Sequence, residues 1–107
     1  MAPINPKKME RQAKRASKLL KAIGNERRLM ILCHLMAGEK SVGTLEKLIG
    51  LSQSALSQHL ARLRRDKFVT TRREAQTIYY SLSGSEVETV LSTLYGLYVE
   101  KGRARSN

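Results

Sequence analysis

The chain has 107 residues, with 20 lysines and arginines against nine acidic residues, and a formal charge of +11. That balance calls for an anionic partner, nucleic acid or a membrane surface, and the length predicts one small domain whose modest core gains from a partner subunit. No apolar run approaches a membrane span, the N-terminal stretch is charged rather than signal-like, and one cysteine excludes an internal disulfide framework, so a cytoplasmic, nucleoid-associated protein is expected.

Asn5 followed by Pro6 reads as an N-cap and first helical position. The spacing predicts a helix to about Ile23, with Met9, Ala13, Ala16, Leu20 and Ile23 at steps of four, three, four and three. So narrow a seam resembles a helix–helix contact more than a broad core face. Lys7, Lys8, Arg11, Lys14, Arg15, Lys18 and Lys21 cover the rest, opposed only by Glu10. A dimerisation helix, an arm along DNA phosphates and a plain solvated basic face all remain open for it.

Gly24-Asn25 breaks this helix and caps the next, with Glu26 suited to its first turn. The second helix runs to about Ala37 and is apolar nearly all round, through Leu29, Met30, Ile31, Leu32, Cys33, Leu35 and Met36. It should lie at the centre of the domain, and Gly38 ends it. Ser41 caps a short third helix with Val42, Leu45, Leu48 and Ile49 on its apolar face, and Gly50 closes that helix.

Ser52 then caps a fourth helix. Ala55, Leu56, His59/Leu60 and Leu63 form its core stripe. Gln53, Ser54, Ser57 and Gln58 stand on the other side in the first two turns, followed by Arg62, Arg64 and Arg65. Short amides and hydroxyls can bond base edges, and arginines can bind phosphate. Two helices joined by a short Gly-containing turn make residues 41–66 a helix-turn-helix. The bland alternative for the fourth helix is an amphipathic helix with a solvated polar face.

Phe68–Arg73 and Thr77–Leu82 are rich in β-branched and aromatic residues and read as two strands. Glu74-Ala75-Gln76 joins them, without the glycine a tight turn often uses. This hairpin, residues 68–82, would be a wing with Arg72, Arg73, Gln76 and Thr77 at or near its tip. Ser83 and Glu86 are spaced as a capping box for a last helix over 84–100. Val87, Val90, Leu91, Leu94, Tyr95 and Tyr98 form its seam. Gly96 inside that helix costs about 1 kcal/mol relative to alanine and would mark a close approach. Residues 102–107 read as a frayed tail. The expected fold is mainly α with a β-hairpin wing, in the order α-α-α-α-β-β-α, as a single domain over 1–107 with its first (1–23) and last (84–100) helices free to pair.

This order, with Asn25–Leu32, Leu51–Leu60 and Arg72–Tyr80, resembles the ArsR/SmtB family of bacterial winged-helix regulators, in its HlyU/BigR/NolR-like branch. The resemblance covers roughly residues 15 to 100. It implies a homodimer joined through the first and last helices, with both recognition helices presented to successive major grooves. It also implies a repressor by default, with links to sulfide or redox stress or to virulence genes. Some relatives instead activate by displacing another DNA-binding protein.

Metal-sensing members carry ligands at positions that match Ser41 and Gly43 here, and on a last helix that here holds no histidine. His34 and His59 with one cysteine do not assemble a plausible site, so no metal and no cofactor is expected. Thiol-sensing relatives pair a cysteine matching Cys33 with one that falls here at Val99. Cys33 is therefore read as a buried structural residue, against a one-cysteine thiol sensor.

The leading function is a sequence-specific double-stranded DNA-binding transcriptional regulator. Gln53, Ser54, Ser57 and Gln58 would read bases, while Arg62, Arg64, Arg65, Arg72, Arg73 and His59 would hold phosphates or the minor groove. For His59, packing beneath the helix competes with that role. A nucleoid-type architectural protein of low specificity is the alternative, favoured by charge and opposed by the amide-rich face. No nucleophile–base–acid set or glycine-rich phosphate loop is visible, so an enzyme is not expected. Membrane binding is disfavoured because the basic helix lacks a strong aromatic face.

Overall fold

In the computed structural model, which describes residues 3–100, helix boundaries follow the caps. Helix α1 spans Pro6–Ile23, α2 Glu26–Met36, α3 Val42–Ile49 and α4 Gln53–Arg65. The side chains of Asn5, Asn25, Ser41 and Ser52 accept from the backbone N–H groups of Lys7, Arg28, Thr44 and Ala55, at 3.1, 3.0, 3.1 and 3.2 Å. Each supplies a bond to an otherwise unpaired donor, worth about 0.5–2 kcal/mol. Gly50, at φ 77°, ends α3 and returns its N–H to the Glu46 carbonyl.

Helix α2 packs against α1, α3, α4 and the sheet, and it touches α5 (Ser85–Tyr95) as well. Its Ile31, Leu32 and Leu35 meet Leu45 of α3, Leu56, Leu60 and Leu63 of α4, and Val87 and Leu91 of α5 in one core. Helix α2 is central, as expected from its sequence, but its apolar surface is not wholly covered. Met30 and Met36 are exposed, and Cys33 is an exposed free thiol rather than a buried structural one. On α1, Leu19, Ala22 and Ile23 enter the core, whereas Met9, Ala13 and Leu20 of the expected seam stay exposed. Only Ile23 belongs to both faces, which leaves Met9, Ala13 and Leu20 of the seam uncovered among the described residues.

Strands β2 (Val69–Glu74) and β3 (Thr77–Leu82) form the antiparallel wing, in register from Val69↔Leu82 to Glu74↔Thr77. The turn is therefore Ala75-Gln76, one residue shorter than expected. Ala75 takes φ 56° there, a conformation that glycine more often supplies. A further strand, β1 (Lys40–Ser41), pairs with β3 through Lys40↔Tyr80 and Ser41↔Tyr79, so the sheet order is β1-β3-β2.

Between α4 and the wing, Lys67 at φ 66° turns the chain. Its N–H donates to the Arg64 carbonyl at 3.0 Å, and the Phe68 N–H donates to that of Leu63 at 2.9 Å. This pair of bonds is a Schellman closure with lysine where glycine is usual.

The expected capping box before α5 does not form. Gly84 is the N-cap, with no side-chain bond. The Ser83 N–H instead donates to the Phe68 carbonyl, and Glu86 pairs with Arg15 of α1. The helix expected over 84–100 is α-helical to Tyr95 and π-wound over Gly96–Glu100. A Cβ at Gly96 would meet nothing within 4 Å among the described residues of its own chain, and the glycine stands where the winding changes. The tail expected over 102–107 lies outside the described residues.

Candidate DNA-binding surface

Leu56, Leu60 and Leu63 seat α4 in the common core, against α2 and β2, and this fixes which side chains turn outward. Gln53, Ser54, Ser57 and Gln58 are all exposed on its first two turns, and Arg62, Arg64 and Arg65 on its last two. Helix α4 contains no acidic residue, so nothing on it opposes an anion. At 13 residues it is about 20 Å long, enough to lay its N-terminal half into a major groove about 12 Å wide.

His59 sits differently from these residues. It is half-buried, and burial lowers its pKa, helped by the positive charges of Arg28, Arg27 and Arg62. Its imidazole is neutral at pH 7, which favours packing over phosphate contact. Arg28 is part of this support, although nothing in its local sequence marks it so. It is only 8% exposed and donates from Nε to the Ala22 carbonyl at 3.0 Å and from Nη2 to that of Lys21 at 2.8 Å. It thus ties the C-terminal end of α1 to α2 beside α4.

On the wing, Arg73, Gln76 and Thr77 are exposed, and Arg73 has no ion-pair partner among the described residues. Arg72 is occupied. Its Nε and Nη2 reach Glu39 at 2.9 and 2.8 Å, its Nη1 reaches Glu74 at 2.6 Å, and its guanidinium lies 4.4 Å from the Tyr79 ring centroid. The bond from Arg72 holds the Glu39 carboxyl below its ordinary pKa, and the bonds to Glu39 and Glu74 raise that of Arg72. Two carboxylates more than cancel this guanidinium locally, so the wing's outward-facing cation is Arg73. Nothing in the spacing of Glu39 and Arg72 signals their pairing.

Away from this surface, Cys33 lines a shallow groove of about 420 Å³ with Met36, Leu91 and Tyr95. Partial burial among these side chains pushes its thiol pKa up. A second groove of about 410 Å³ runs between α1 and α5, lined by Met9, Ala16, Leu19 and Val90. Among the described residues no group of three or more His, Cys, Asp or Glu could hold a metal ion. No helix among them is long and apolar enough to cross a membrane.

The model of the bacterial regulatory protein, arsR family, matches residues 25–71, which run from the cap of α2 into the wing. The chain is 54% identical over 99 residues to the transcriptional activator HlyU of Vibrio cholerae serotype O1, covering 92% of each chain. It is 49% identical over 98 residues to the nodulation protein NolR of Rhizobium meliloti, covering 92% of this chain and 80% of that one. Its fold superposes on the crystal structure of the transcriptional repressor BigR from Xylella fastidiosa with a TM-score of 0.84 at 38% identity, covering 89% and 97% of the two chains. With the winged helix-turn-helix above, these matches identify the chain as a member of the arsR family of bacterial regulatory proteins, a transcriptional regulator that binds DNA through its helix-turn-helix.

Proposed function

We propose that the protein is a sequence-specific regulator that binds double-stranded DNA as a homodimer and represses by occupying an inverted-repeat operator. The observation that carries this reading is the division of α4. Uncharged hydrogen-bonding side chains occupy its exposed N-terminal turns and arginines its C-terminal turns. Gln53, Ser54, Ser57 and Gln58 read base edges. Arg62, Arg64, Arg65 and Arg73 hold phosphates, with Gln76 and Thr77 beside Arg73 at the wing tip. Arg72 braces the wing, and His59 packs under α4. The partner protomer covers the exposed apolar side chains of α1 and the C-terminal segment, Met9, Leu20, Tyr95 and Tyr98 among them.

An activator reading has one specific support, the similarity to HlyU, which is named an activator. Occupancy of one DNA site accounts for both, because displacing another DNA-binding protein uses the same contacts. The protein works in the cytoplasm at the nucleoid, without a bound metal. A redox or sulfide signal would enter at Cys33, the only thiol of the chain. Selection of bound sequences from a random duplex library tests the proposal. Enrichment of an inverted repeat with half-sites about 10 base pairs apart is expected. Recovery of unenriched sequence would favour an architectural protein.

A further inference from the structure

Lys14, Lys18 and Lys21 stand at steps of four and three along α1 and form one exposed stripe. At about 100° per residue this stripe lies across the helix from Met9, Ala13, Ala16 and Leu20. A partner seated on that seam leaves the lysines open. On α4, Ser54, Gln58, Arg62 and Arg65 also share an exposed face, at steps of four, four and three. The two stripes converge where Lys14, Lys18, Lys21, Arg62, Arg65 and Asp66 line a groove of about 310 Å³.

The charge in this groove is not balanced from within. Asp66 is its one carboxylate, 3.7 Å from Arg65, and the other four cations have no ion-pair partner among the described residues. The C-terminal ends of α1 and α4 supply only about half a negative charge each. Arg28 already takes the Lys21 and Ala22 carbonyls at the first of them. Five cations against Asp66 and two helix ends leave an excess of about +3. A merely solvated basic face spreads its charges over a convex surface, whereas here two helices bring theirs to one concavity.

We propose that this groove is a second DNA-contact site, which holds sugar-phosphate backbone flanking the sequence that α4 reads. The inference rests on α4 being the reading helix and extends the contact to α1. Base readout is assigned to Gln53–Gln58, whereas Arg62 and Arg65 lie toward the far end of a helix about 20 Å long. The major groove is only about 8.5 Å deep, so backbone bordering the site is what the α1 lysines meet.

The test combines Lys14→Ala, Lys18→Ala and Lys21→Ala in the full chain. All three positions are exposed, and alanine is the best helix former, so the helix is retained; thermal melting checks this. Affinity is measured across a salt series on a selected site with short and long flanks, and on random duplexes of matched length. Wild type should gain affinity as the flanks lengthen. The triple variant should lose that gain, and its salt slope should fall by about 0.9 for each phosphate contact removed. Its preference for the site over random duplex of the same length should persist. Equal slopes and an equal gain from the flanks would overturn the proposal. Loss confined to the bridging of two separate duplexes would also overturn it, by placing the groove on a second DNA. If wild type selects no site, the reading role of α4 fails, yet the slope on random duplex still decides whether the groove holds phosphate.

Discussion

Arg72 of the wing and Glu39 of the segment before β1 form a two-pronged ion pair, 2.9 Å at Nε and 2.8 Å at Nη2, across 33 residues of sequence. The pair fastens one edge of the sheet to the other, with Tyr79 beneath the guanidinium. Arg72 therefore differs from its neighbour Arg73 in what it can offer to DNA.

Replacing Arg73 by alanine should lower the magnitude of the salt slope of DNA binding by about 0.9, the contribution of one phosphate contact. Arg72→Ala should leave that slope close to wild type while loosening the wing, seen as faster amide exchange in β2 and β3. Glu39→Gln should release Arg72 partially and steepen the slope. If Arg72→Ala flattens the slope as much as Arg73→Ala does, Arg72 leaves Glu39 when DNA arrives.

The neutral state of His59 gives a pH dependence with a defined sign. Its folded pKa lies below the ordinary 6.5, because burial and three arginines disfavour the cation. Below that value the unfolded chain binds the proton and the folded chain resists it, so stability falls as pH drops from 6.5 toward the folded pKa and is fully present above 6.5. Thermal melting between pH 7.5 and about 5 should show this loss in wild type, and His59→Gln should remove that part of it. A melting curve that responds to acid identically in both proteins would place the imidazole in solvent.

Leu20 is 63% exposed although it lies on the most regular apolar seam of α1. Leu20→Glu should therefore leave the fold of each chain intact and shift the protein from dimer to monomer, read by sedimentation equilibrium. DNA affinity should fall with it, since a monomer presents one reading helix. Unchanged mass with lost stability would mean that Leu20 packs within its own chain.

Much of this was legible because local rules governed it. Asn5-Pro6, Asn25, Ser41 and Ser52 are caps whose side chains bond within two or three residues, and Gly50 takes the positive φ that glycine allows. The exposed face of α4 follows from helical spacing alone, and the family resemblance in Asn25–Leu32 and Leu51–Leu60 falls inside the matched span 25–71. What escaped was set by tertiary contact. Arg15 meets Glu86 across 71 residues, which takes Glu86 from the capping role its spacing suggested. Strand β1 is two residues long, too short for any alternation to show. Cys33 stands in an apolar run that reads as buried, yet among the described residues it lines an open groove beside Leu91 and Tyr95 and stays exposed.

The turn at Lys67 offers a separate check on the backbone. A side chain at φ 66° is strained where glycine is not. Lys67→Gly should stabilise the protein by about 0.5–1 kcal/mol, once glycine's greater unfolded-state freedom is subtracted. Chemical denaturation measures it, and a destabilised variant would contradict the Schellman closure.

Competition binding of Gln53→Ala against wild type shows whether the first turns of α4 read sequence. At physiological salt, wild type should prefer its selected site over random duplex by a factor of about a thousand or more. Gln53→Ala should lose about 1–3 kcal/mol on the site and almost nothing on random DNA. An equal loss on both duplexes, or no loss on either, would contradict a reading role for Gln53 and with it the division of labour along α4.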